Sequence, residues 1–89
     1  MRAIVTVIGR DRVGIIAEVS GALAAAGVNI LDITQTVTRE YFTMIMLTDT
    51  SGFGGAFSEL ADSLEAFGEK LGMSIRIQRE DIFEAMHRV

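Results

Sequence analysis

Eighty-nine residues with no cysteine and a net charge of −4 exclude a disulfide framework, thiolate metal centres and a basic nucleic-acid surface. A hydrophobic fraction of 49% and a mean hydropathy of +0.38 exceed what a small domain hides, since a chain of this length buries only about 60–65% of its unfolded surface, so part of the apolar surface is expected in a subunit interface. No apolar run approaches the roughly 18 residues of a membrane span, and the N-terminus enters a strand without a leader's charged and apolar regions, so no membrane role and a cytoplasmic protein are expected.

Arg2 to Ile8 is dense in β-branched residues and predicts a first strand, apolar on both faces. A glycine-bearing loop, Gly9-Arg10-Asp11-Arg12-Val13-Gly14-Ile15, follows, in which Asp11 is expected to cap a helix. That helix places Ile15, Ile16, Val19, Leu23 and Ala26 at helical spacing, while Gly21, Ala22, Ala24 and Ala25 keep it slim. Gly27 supplies the left-handed residue that ends it. Leu31 to Thr38 is a second strand, with Leu31, Ile33, Gln35 and Val37 opposed to Asp32, Thr34, Thr36 and Thr38. Ile30 breaks the parity, which predicts a bulge or a late strand start. Arg39-Glu40 is a two-residue link lacking the glycine that favours such turns. Tyr41 to Thr48, apolar on both faces, reads as a central third strand.

Asp49 to Gly55 is a loop with three glycines and an exposed Phe53. A second helix carries Phe57, Leu60, Leu64, Phe67 and Leu71 on one stripe, with Glu59, Asp62, Glu65 and Glu69 off it. Gly72 ends that helix, Met73 to Arg79 forms strand four, and Glu80 to Arg88 a final helix with Ile82, Phe83 and Met86 on its apolar side. The order βαββαβ plus a helix predicts an α+β ferredoxin-like sandwich, a four-stranded antiparallel sheet with two helices on one face. Residues 1–79 make the domain and 80–89 its helical extension. Ile4, Ile8, Ile45 and Leu47 line the other face, which the final helix or another subunit must cover.

The start of helix one leaves N–H groups without intrahelical partners at the positive end of the helix dipole, a natural seat for a carboxylate. Gly14 lets a ligand approach the backbone, Asp11 offers a partner for an ammonium group, and Asn29 offers donor and acceptor. Carboxylate plus ammonium describes an amino acid. The same residues also have purely structural readings: Asp11 as a cap, Gly14 as a packing glycine, Asn29 as a turn residue. Arg10 and Arg12 read as solvated charges, and Met44 and Met46 as core.

The run G-R-D-R-V-G-I-I-A-E-V-S-G-A-L-A-A-A-G-V-N-I-L-D-I, followed by Phe42-Thr43-Met44, resembles the ACT domain over about Arg2 to Arg79. The tail from Gln78 to Val89 resembles the ending of a family of small stand-alone single-ACT-domain proteins. The resemblance implies a regulatory fold that binds small ligands, often amino acids, where two copies meet. It places the ligand on Asp11, Arg12, Val13, Gly14 and Ile15 and on the G-V-N-I turn through Asn29 and Ile30. It also implies a homodimer or higher oligomer, either through paired edge strands at Leu31 to Thr38 or face to face. A stand-alone module would act through a protein partner, here unidentified. Two positions depart from the family's pattern: Val13 where many members have proline, and Gly9 where some amino-acid binders carry a polar side chain.

The expected function is therefore non-enzymatic small-molecule sensing without a cofactor or metal, the alternative being a constitutive assembly or adaptor module. An acylphosphatase-like enzyme shares the topology, with Arg10 or Arg12 as its arginine, but strand three offers Thr43 and no asparagine. His87, the one histidine, lacks an acid–base partner and suits a charge near a helix C-terminus. A heavy-metal-binding domain would need paired cysteines, and an RNA-recognition sheet would need more aromatics and positive charge.

Overall fold

The computed structural model describes the backbone of residues 1–87 and the side chains of residues 1–85. The elements are β1 (Arg2–Arg10), α1 (Ile15–Ala25), β2 (Asn29–Thr38), β3 (Tyr41–Asp49), α2 (Phe57–Leu71), β4 (Ser74–Arg79) and α3 (Glu80–His87). All strand pairs are antiparallel, in the order β2-β3-β1-β4. This is the ferredoxin-like order expected from the sequence, and β3 is central as its two apolar faces require.

The alternation of β1 sends Ala3, Val5 and Val7 to one face, where they meet Met44, Met46 and Thr48 of β3 and Ile75 and Ile77 of β4. Ile15, Val19 and Leu23 of α1 and Leu60 and Leu64 of α2 close over them, so both helices share that face. Thr48 is buried there, and its hydroxyl donates to the Ala3 carbonyl at 2.9 Å. Phe53, expected to be exposed, packs partly buried against this core.

Two helix ends depend on glycine. At the end of α1 the Val28 N–H donates to the Leu23 carbonyl (2.9 Å) and the Gly27 N–H to the Ala24 carbonyl (3.0 Å), a Schellman motif with Gly27 at φ 78°. A Cβ built on Gly27 would lie 2.5 Å from the Gly52 carbonyl oxygen, so the α1–β2 turn and the β3–α2 loop touch backbone to backbone. At the start of α1 the N-cap is Gly14 at φ 88°, and no side chain caps the helix. Asp11 is not the cap: it lies three residues upstream, where its N–H donates to the Glu40 carbonyl at 2.8 Å.

β2 begins at Asn29 rather than Leu31, and the expected bulge falls one residue later, with the register shifting between Ile30 and Asp32. The β2–β3 link is indeed Arg39-Glu40, and Arg39 takes the positive φ (59°) that glycine would adopt without strain. Arg39→Gly is therefore expected to raise stability by about 0.5 kcal/mol, the relief of strain exceeding the entropy glycine adds to the unfolded chain. A midpoint about 2–4 °C above wild type would show it, and an unchanged or lowered midpoint would contradict it.

α3 follows β4 without a loop. Arg2 pairs with Glu80 (3.0 Å) and Arg79 with Asp81 (2.8 Å). Phe83 is the residue that α3 places against the open face of the sheet, whereas Ile82 is 46% exposed. The side chains of Met86 and His87 lie outside the described residues, as do Arg88 and Val89.

Candidate functional site

The loop between β1 and α1 leaves the sheet beside the β2–β3 hairpin. Arg10 is opposite Tyr41, and Arg10 and Glu40 lie 3.8 Å apart as an exposed ion pair. Gly14 turns the chain into α1, and the Gly14 carbonyl accepts the first helical bond from the Glu18 N–H at 3.0 Å. The N–H groups ahead of Glu18 point out of the helix end without intrahelical partners. The space around Gly14 is open, since a Cβ there would meet nothing within 4 Å. Val13 is 98% exposed beside it, and Ile15 anchors the turn in the core at 2% exposure.

Charge at this end is partly matched already. Arg12 Nη2 donates to Glu18 Oε2 at 2.5 Å, holding a cation beside the first turn of α1. The pair is half exposed and contributes little to stability.

Asn29 and Ile30 lie elsewhere. Asn29 is opposite Asp49, which is opposite Arg2, whereas Thr38, Tyr41 and Arg10 form the far end of the sheet. From Arg2 to Arg10 is eight steps along β1 at ~3.3 Å each, so the two rows are ~26 Å apart. The helix gives the same answer: Gly14 starts α1 and Gly27 follows its end, across eleven residues or ~16 Å. Within one protomer the structure gathers Asp11, Arg12, Val13, Gly14 and Ile15 at one end, and Asn29 and Ile30 at the other. Asn29 is exposed.

Asp49, beside Asn29, carried no signal in the sequence. Its Oδ1 accepts from the Ser51 hydroxyl (2.6 Å) and the Ser51 N–H (2.9 Å), and the Met1 ammonium lies 3.5 Å away. The Ser51 hydroxyl bond, then the Ser51 N–H bond and the nearby ammonium, hold the carboxyl below its ordinary value. A lowered carboxyl pKa stabilises the fold above the unfolded value near 4, and that contribution fades as pH falls through the folded pKa. Ser51→Ala is expected to return the Asp49 pKa toward its ordinary value, which carboxyl NMR titration measures; an unmoved titration would rule out the Ser51 hydroxyl as the cause.

Gly9 explains one departure noted above. Its position on the helix-facing side of β1 is filled by the Met73 thioether, which a Cβ there would overlap. A polar side chain at this point has no room here unless Met73 moves.

β2 is the feature that ties the two ends together. It is an edge strand, and from Leu31 to Thr38 every residue is exposed. Leu31, Ile33 and Val37 are 47%, 40% and 51% exposed on an otherwise polar rim. Asp32 Oδ1 accepts the Ile33 N–H at 2.9 Å, which an added strand would have to displace. Among the described residues no group of three or more His, Cys, Asp or Glu is placed to hold a metal, and no helix is long and apolar enough to cross a membrane.

This topology and loop arrangement define the class. A family model described as the ACT domain matches residues 2–78. An ACT domain protein from Streptococcus pneumoniae superimposes with a TM-score of 0.83 at 48% identity, over 98% of each chain. The chain belongs to the ACT-domain family, whose members are typically regulatory, small-molecule-binding modules. It is similar along its whole length to a UPF0237 protein of Clostridium acetobutylicum, 57% identical over 100% of both chains, and so aligns with the small single-ACT-domain proteins. A putative glycine cleavage system transcriptional repressor is also similar, with a TM-score of 0.70 and 26% identity, over 86% of this chain and 44% of that one.

Proposed function

We propose that this protein is a non-enzymatic sensor that holds a free amino acid between two copies of itself, and acts through a protein partner. The carrying observation is that the two halves of the site lie at opposite ends of one exposed edge strand. Antiparallel pairing of β2 with β2 of a second copy, about the strand's midpoint, sets Asn29 of one protomer beside Thr38 and the 11–14 loop of the other. The N–H groups after Gly14 and the Arg12 cation then receive the carboxylate, Asp11 receives the ammonium, and Asn29 of the second protomer closes the site. The same pairing covers Leu31, Ile33 and Val37, removing apolar surface from water on both copies. Regulation of glycine cleavage, in the name of one relative, is consistent with an amino-acid effector.

A melt against free amino acids, glycine and serine among them, tests this. Saturation at 100 times the Kd adds about 2.7 kcal/mol per site, and each kcal/mol moves a midpoint by about 4–8 °C in a domain this size. A selective shift is expected. A flat panel on a folded oligomer would replace the sensor with a constitutive assembly module.

Gly14→Asn separates ligand chemistry from folding. Asparagine tolerates a left-handed backbone better than other side chains, and the space beside Gly14 is open, so stability without ligand should fall by about 1 kcal/mol or less. The side chain then stands where the carboxylate must sit, so the ligand-induced shift should vanish. An undiminished shift would remove Gly14 from the site.

A further inference from the structure

The face of the sheet away from α1 and α2 carries a groove of about 340 Å³. Its floor alternates, with Thr6 opposite Ile45 and Ile8 opposite Thr43. Phe83 of α3 forms a wall, and Arg76 of β4 stands beside Thr6 at the rim. The helix covers this floor incompletely, leaving Ile8 48% and Ile45 39% exposed.

The charge at the rim selects the occupant. Arg2, Arg10, Arg12 and Arg79 each lie within 4 Å of a carboxylate. Arg76 has no such partner among the described residues. Glu65 and Glu69 border the β4 edge near it from the helix side without pairing to it. On its own face Asp32 is on the far edge strand, beyond β1 and β3. Glu80 and Asp81 of α3 are occupied by Arg2 and Arg79. A lone cation on the rim of an apolar floor matches one negative charge on an apolar body.

We propose that this groove is a second binding site, for a small monocarboxylate with a hydrocarbon body. Its carboxylate sits on the Arg76 guanidinium and the Thr6 hydroxyl, and its chain lies on Ile8, Ile45 and Phe83. The groove's size, at the low end of the ~300–1,000 Å³ of ligand pockets, suits a chain of about eight carbons or a single ring. Among the described residues one arginine and no second cation border the groove, which favours a monocarboxylate over a phosphate or a dicarboxylate.

Sodium octanoate is the probe, followed by amide NMR on the full chain, with octanol as the neutral control of equal length. Octanoate should move the Thr6, Ile8, Thr43, Ile45 and Arg76 amides saturably, and octanol should bind about tenfold more weakly. Arg76→Gln, at an exposed position, should leave the melting midpoint unchanged, lower octanoate affinity about tenfold and leave octanol affinity as it was. Equal affinity for octanol and octanoate, or an unaffected Arg76→Gln, would overturn the proposal. So would shifts confined to residues 11–15 and 29–30. Silence in the groove amides together with a concentration-dependent mass would overturn it too, in favour of a second copy covering this face.

Discussion

Gly27→Ala is expected to be among the most damaging single substitutions in this chain, lowering the midpoint by about 12 °C or more. Two costs act at once. The backbone at φ 78° disfavours any side chain by roughly 1–2 kcal/mol. The new methyl would also sit 2.5 Å from the Gly52 carbonyl oxygen and 3.0 Å from its carbon. Those are backbone atoms, which cannot rotate away, so the turn before β2 and the loop after β3 must separate. A total near 3 kcal/mol is a large share of the stability of a domain this small and corresponds to the stated shift at about 4–8 °C per kcal/mol. Gly52→Ala should behave similarly, because its Cβ would overlap the Gly27 carbonyl. Gly54→Ala is the control: a Cβ there meets nothing within 4 Å, so its midpoint should hold or rise slightly. Equal melting for Gly27→Ala and Gly54→Ala would show that the two loops do not hold each other.

Ile33→Lys should have the largest functional effect. Ile33 lies opposite Met46 on β2 and is 40% exposed in the isolated protomer, so a lysine stem can lie along the sheet with its ammonium in water. In a β2–β2 pair the same side chain sits near the two-fold axis, bringing two lysines together in a patch otherwise built by Leu31 and Val37. Like charges and lost apolar contact should halve the mass measured by light scattering. The amino-acid response should vanish with it, although every residue of the 11–15 loop and Asn29 is untouched. That joint loss distinguishes a site completed by a second copy from a site within one chain. A monomer that still answers to an amino acid would show that one protomer suffices, and a mass unchanged by the lysine would remove β2 from the interface.

These variants also separate what is local in this protein from what is not. Periodicity was enough to read every element in the correct order, the faces of β2, the central position of β3 and the glycine stop at Gly27. Each follows from side-chain alternation or helical spacing within a single segment. The bulge near Ile30 was legible for the same reason, since one extra residue breaks a period of two.

Three of the errors involve partners distant in sequence. Asp11 has the chemistry of an N-cap, but the hairpin draws its N–H to the Glu40 carbonyl, and Gly14 turns the chain into the helix instead. Gly27 and Gly52 each read as ordinary turn glycines because nothing in either segment announces the other. Phe53 looked exposed in its glycine-rich loop, yet folding brings it against the core. Asn29 and Gly14 read as parts of one site, although the length of the intervening helix already placed them far apart. The sequence by itself determined the elements, their apolar faces and the family of the fold, because those depend on spacing along the chain. Only the tertiary structure decided that Gly27 meets Gly52, that Asp11 bonds the hairpin and that Arg76 has no carboxylate partner among the described residues, because long-range contacts are set by packing rather than by local pattern.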